Sequence, residues 1–258
     1  MTGLTAGILS GAAFWLLTHL WCHRRYLAME AGDLEELGGE QSSSGLSDAL
    51  EKGVELQTVS PRVARLARDR GILSECVAQK ALSGSYRRGY DRTLAAELPW
   101  LPVYLGMSTV GALVSPASSL LLSAITSAAQ CDSRFRVIPT VLAIALVPMG
   151  LAALPPATEA QAGVKVVAAA GTFAIAALTG VMAKRKGARF GAGDLFLITW
   201  PVLTLAGDTA LAIFLASLTA ELAIRAYWGR RTAAATDIPL AVYMVAPTAI
   251  AFFAHLFT

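Results

Sequence analysis

GALVSPASSLL, residues 111–121, decides the fold. It lies inside an apolar run of 33 residues, 99–131. That length suits one long helix or two short ones, since a straight membrane span takes about 20 residues. The flanking charges choose between them. Arg87, Arg88 and Arg92 precede the run, and Arg134 and Arg136 follow it. Basic clusters stay on the cytoplasmic side of a membrane. With both clusters on one side, the run crosses an even number of times. Ser115-Pro116 is the break, because proline disfavours helix in the residue before it and suits the first helical position after it. The stretch therefore reads as the turn of a helical hairpin.

Composition supports a membrane setting. Of 258 residues, 55% are hydrophobic and 15% are charged, and the mean hydropathy is +0.56. A soluble domain carries about 25% charged residues. The net charge of +3 leaves no nucleic-acid footprint. The three cysteines, Cys22, Cys76 and Cys131, form no CxxC, which excludes a zinc ribbon and argues against a disulfide framework.

Residues 1–22 are apolar, and the basic residues Arg24 and Arg25 follow them instead of preceding them. A cleaved leader has the opposite order. The segment reads as a first transmembrane helix with its amino end outside. Residues 23–98 hold 11 of the 21 basic and 12 of the 18 acidic residues and read as a cytoplasmic insertion. Within it, GGEQSSSG (38–45) reads as a flexible linker. In SPRVARLARDRG (60–71), Ser60 reads as an N-cap, Pro61 as the first helical residue and Gly71 as the stop, with another helix over 72–82. Residues 99–258 read as a seven-helix core, with segments near 99–114, 116–131, 137–154, 163–183, 194–206, 208–227 and 238–257. Eight helices with both termini outside put 20 of the 21 basic residues on the cytoplasmic side; only Lys165 falls near an outer end. The expected fold is all-α and polytopic, about eight spans with a polar cytoplasmic loop after the first.

This topology sets two carboxylates at one depth. Asp132 ends the third span in QCDSRFRVIP, and Asp194 opens the sixth in GAGD (191–194). A charge in lipid costs several kcal/mol, about 2.5–3.5 on insertion scales. Two carboxylates at close range share one proton, and such a pair can activate water and polarise a peptide carbonyl. Gly191 and Gly193 would let backbone and substrate approach closely. By itself G-x-G-D is a weak signal, arising by chance in about one chain in twenty at this chain's own Gly and Asp frequencies. The second aspartate is what lifts it. The plainer alternatives are that Asp194 caps the sixth helix and that Asp132 pairs with Arg134 or Arg136.

These residues resemble the type IV prepilin peptidase family, the membrane aspartic peptidases with a G-x-G-D motif. GAGD resembles the stretch of the family's second catalytic aspartate. Asp132 followed by Ile138-Pro139 is similar to its first. Asp237-Ile238-Pro239-Leu240-Ala241 resembles the stretch that opens the family's last helix. The resemblance implies an aspartic endopeptidase of the bacterial cytoplasmic (inner) membrane, with Asp132 and Asp194 as the dyad. Gly191, Gly193, Ile138, Pro139 and Pro239 would be motif or substrate-binding positions. It implies prepilin or pseudopilin partners, cut between a short basic leader and an apolar segment, with membrane lipid around the protein and no nucleic acid. It implies no metal and no cofactor for peptide cleavage. The chain departs from the family at Leu195-Phe196, at Thr140, and in lacking CxxC pairs in 23–98, so methylation with S-adenosylmethionine stays open. A transporter or proton relay would instead favour midplane charges and an internal repeat. A non-catalytic pilin-binding relative would keep the layout without the chemistry. His19 and His23, four apart beside Cys22, have metal-ligand spacing without a further ligand in sequence. Asp208 is expected in an outer loop.

Overall fold

The computed structural model describes residues 2–38, 45–55, 59–83, 97–135, 137–153, 159–185, 197–202, 205, 207–228 and 240–254. All regular structure among them is helical. The helices are α1 (Thr2–Gly38), α2 (Leu46–Glu55), α3 (Pro61–Asp69), α4 (Glu75–Leu82), α5 (Leu101–Val114), α6 (Pro116–Phe135), α7 (Thr140–Ala153), α8 (Glu159–Arg185), α9 (197–202), α10 (Gly207–Trp228) and α11 (Leu240–Ala254). The chain forms two compact units, one of Met1–Leu16 with Trp100–Thr258 and one of Leu17–Pro99. Residues 39–44 of the expected linker lie outside the described residues.

The expected break is present in the larger unit. α5 ends at Val114, Ser115 is extended with φ −162° and ψ 159°, and Pro116 opens α6. The two helices then run antiparallel, because the contacts pair falling numbers on α5 with rising ones on α6. Gly111 meets Ser118, Ser108 Oγ is 2.7 Å from Ser119 Oγ, and the Tyr104 hydroxyl is 3.0 Å from Ser127 Oγ and 2.9 Å from Gln130 Oε1. Ser115 Oγ accepts from Ser118 N at 3.0 Å, so the turn residue also caps α6.

α6 is the centre of this unit. It packs against α5, α7 and α11 and is buried at every position from Leu121 to Asp132. It is also polar, with buried Ser119, Ser123, Thr126, Ser127 and Gln130. A buried hydroxyl needs a partner. Here Ser123, Thr126 and Ser127 donate to the carbonyls four residues back at 2.8–3.1 Å. The start of α1 seats on α5 through Gly7 and Gly11. A Cβ at Gly7 would come within 2.9 Å of Ala112 Cβ, and one at Gly11 within 2.8 Å of the Tyr104 carbonyl oxygen. Ser108 Oγ donates to the Gly7 carbonyl at 2.6 Å, which this close approach permits.

Two described helical stretches, Leu4–Gly38 and Gln161–Leu178, are long and apolar enough to cross a membrane; Leu98–Val114, Thr140–Ala153 and Ala241–Ala254 are apolar but shorter. Large apolar side chains stand exposed on both long stretches, among them Leu9 and Val167, each at least 70% exposed.

In the smaller unit the local sequence signals operate as expected. Ser60 Oγ accepts from Val63 N at 3.1 Å, Pro61 opens α3, and Gly71 takes φ +70°. Ile72 N donates to Ala67 O at 2.9 Å and Gly71 N to Arg68 O at 2.8 Å. These two bonds close a Schellman ending. Ser74 caps α4, and Ser60 Oγ also donates to Glu30 Oε1 of α1 at 2.9 Å. α1 itself runs past the apolar segment that ends at residue 22, to Gly38. Its continuation is rich in Leu, Ala, Met and Glu, which are strong helix formers.

Two outcomes follow for this unit. Gly71→Ala meets no atom within 4 Å, yet must hold φ +70°, and should cost about 1 kcal/mol. Gly32→Ala, mid-helix with equal room, should gain about 0.5–1 kcal/mol. Thermal melts of the two variants would move in opposite directions. Asp33 is half-buried, and burial, then Glu36, then Glu30, push its carboxyl up to about 6. Its proton therefore stabilises the fold fully below the ordinary value of 3.8, and that stability is lost as pH rises through about 6. Asp33→Asn should raise the melting temperature at pH 8 and lose this advantage toward pH 4.

Candidate functional site

Asp132 stands three residues before the end of α6 and is only 4% exposed. A carboxylate that dry requires donors. Its Oδ2 accepts from the backbone N–H of Ala241 at 3.1 Å, across 109 residues of sequence. Ala241 is the second residue of α11 and is fully buried. The first N–H groups of a helix have no partner within the helix, and the dipole there favours negative charge. Asp132 thus caps α11 from another helix. Such an arrangement is worth about 0.3–1 kcal/mol in exposed settings and up to ~2 where partly buried.

Residues 137–139 lead into α7. Ile138 is buried, and the Pro139 carbonyl accepts from Ala143 N at 2.9 Å, the first bond of α7. Ile138, Ala241, Leu197 and Trp200 belong to one apolar core. Leu197, three residues after Asp194, is the first described residue beyond the GAGD stretch, and it is fully buried. Gly191, Gly193, Asp194 and Pro239 lie outside the described residues.

The larger unit has two distinct ends. At one, the Ser115 and Ser118 hydroxyls both donate to the Ala153 carbonyl, at 3.2 and 3.1 Å. At the other, the end of α6 meets the start of α11 through Asp132 and Ala241.

Asp208, expected in a loop, is the second residue of α10. The His19 and His23 rings stack with centroids 6.3 Å apart and planes 25° apart. Among the described residues no group of three metal-ligating side chains gathers. Cys22 and Cys131 are buried thiols and Cys76 is exposed.

Two features escaped the sequence reading. The Ala241 N–H is a backbone donor, so no residue type announces it. The α1 seat had a signal, since Gly7-Ile-Leu-Ser-Gly11 is a G-x-x-x-G pattern in an apolar helix. No protein-family model, curated protein or solved structure matches this chain.

Proposed function

We propose that this chain is a membrane aspartic endopeptidase of the prepilin-peptidase kind, with Asp132 and Asp194 as its dyad. One observation carries the reading. The resemblance rests on three separated stretches, and two of them, those of Asp132 and of Pro239-Leu240-Ala241, are joined by the Asp132–Ala241 hydrogen bond. Sequence proximity cannot produce that meeting.

In this reading the chain spans the cytoplasmic membrane about eight times, and the Asp132 end faces the cytoplasm. The basic leader of a prepilin or pseudopilin stays in the cytoplasm, and its apolar segment enters the bilayer. The scissile bond then lies at the membrane boundary, where a carboxylate at the end of α6 can reach it. One carboxylate of the dyad is ionised and takes a proton from water as the water attacks the peptide carbon. The other is protonated and donates to the carbonyl oxygen. The dyad accounts for both proton transfers with carboxyl groups alone.

A second reading has one observation in its favour. The bond to Ala241 gives Asp132 a structural task, which a non-catalytic pilin-binding relative would also need. Cleavage of a co-expressed prepilin separates the two. Asp194→Asn should abolish cleavage, and Asp208→Asn should leave it intact. Continued cleavage by a well-folded Asp194→Asn protein sinks the dyad; absence of cleavage by the unaltered chain favours the binding role.

A further inference from the structure

The basic residues of α3 are sorted onto its outer side. Val63, Ala64 and Ala67 are buried within the smaller unit, while Arg62 and Arg65, one turn apart, are exposed, and Arg70 follows at the exposed C-cap. The neighbouring carboxylates are already engaged: Asp69 lies 2.9 Å and Glu75 3.7 Å from the Arg68 guanidinium. Among the described residues Arg62, Arg65 and Arg70 enter no ion pair. Ser60 and Gly71 close the two ends of the helix that carries these arginines.

The same unit carries its own apolar anchor. Leu17 and Leu20, on the stretch of α1 that belongs to it, are 63% and 50% exposed. We propose that the arginine face of α3 binds anionic lipid headgroups of the membrane in which α1 is seated. This rests on the membrane reading above and not on the peptidase one. Charge complementarity selects the occupant. Guanidinium groups pair with phosphate in a bidentate way, and an exposed basic helix near a bilayer is drawn to its anionic leaflet. Nucleic acid is disfavoured, since residues 23–98 carry 12 acidic against 11 basic side chains. An acidic protein would have to be recruited, whereas α1 delivers the lipid surface itself.

Cys76 supplies a native reporter. It is exposed, and the adjacent Glu75 pairs with Arg68 of α3, while Cys22 and Cys131 are 1% exposed. The full chain, labelled at Cys76 with a fluorescent donor, would be placed in nanodiscs carrying an acceptor on lipid headgroups. Energy transfer should be higher in discs containing phosphatidylglycerol than in discs of phosphatidylcholine alone. The increment should vanish in the Arg62→Gln/Arg65→Gln/Arg70→Gln protein, and in salt of about 1 M, where screening acts within ~3 Å. The corresponding Lys variant should keep most of it. Unreactive Cys22 and Cys131 would report that each variant is folded. Equal transfer in both lipids, or an increment that survives the glutamine substitutions, overturns the proposal. So does a label that responds to polyglutamate and not to phosphatidylglycerol, which would assign the patch to an acidic protein. A chain that fails to enter neutral discs removes the membrane reading and this proposal together.

Discussion

Asp132→Asn should lose prepilin cleavage by roughly 10²–10⁴-fold while melting close to the unaltered protein. Asp132→Ala should lose both activity and stability. The contrast follows from the cap that the side chain forms and from the task that the proposed function gives it. Asparagine keeps an oxygen that can accept from the Ala241 N–H, so the cap on α11 survives. It cannot take a proton from water, so the chemistry does not. Alanine removes the acceptor as well and leaves a buried donor at the start of α11, at a cost of about 1–3 kcal/mol. Cleavage assays on both variants, with thermal melts in the same detergent, separate the roles. If Asp132→Asn still cuts, Asp132 is a cap and nothing more. If Asp132→Ala melts like the unaltered protein, the cap contributes little and the hydrogen bond is incidental.

Gly111→Ala should destabilise the larger unit by the upper end of what overpacking costs, about 3 kcal/mol, although only one methyl group is added. A Cβ at Gly111 would lie 2.6 Å from the Ser118 carbonyl carbon, the Ser118 carbonyl oxygen and the Ser119 nitrogen. All three are backbone atoms at the start of α6, so no side chain can rotate aside. The α5–α6 hairpin must open, and Ser118 is held on its other side by the Ala153 carbonyl. Gly106→Ala on the same helix provides the comparison. No atom lies within 4 Å of its Cβ position, and the substitution should be neutral or favourable. Equal melting temperatures for the two variants would mean that α5 and α6 do not approach each other this closely.

The parts of the fold that were legible in the sequence are those decided by neighbouring residues. Ser60, Pro61 and Gly71 bound α3, and Ser115-Pro116 breaks the hairpin, because caps and prolines act within a few residues. The extent of α1 was not legible from hydropathy. Apolarity stops where the membrane would end, but helicity depends on backbone propensity and continues to Gly38. Of the candidate site, Asp132 and Ile138-Pro139 were singled out from the sequence by the charge pattern and the family resemblance, and the structure sets them beside the start of α11 and α7. The partner of Asp132 could not be singled out, because a backbone N–H 109 residues away has no residue type of its own.

The polar character of α6 has a consequence for biogenesis. An insertion machinery judges each segment as it emerges, and Ser119, Ser123, Thr126, Ser127, Gln130 and Asp132 make α6 a poor substrate by itself. In the proposed membrane setting α6 would have to enter together with α5, as a hairpin whose contacts already shield one side. The rest of its cover would come from α7 and then from α11, which brings the Ala241 N–H only after another 109 residues have been synthesised. Until α11 arrives the Asp132–Ala241 bond cannot form, so the last helix completes the setting of the carboxyl group.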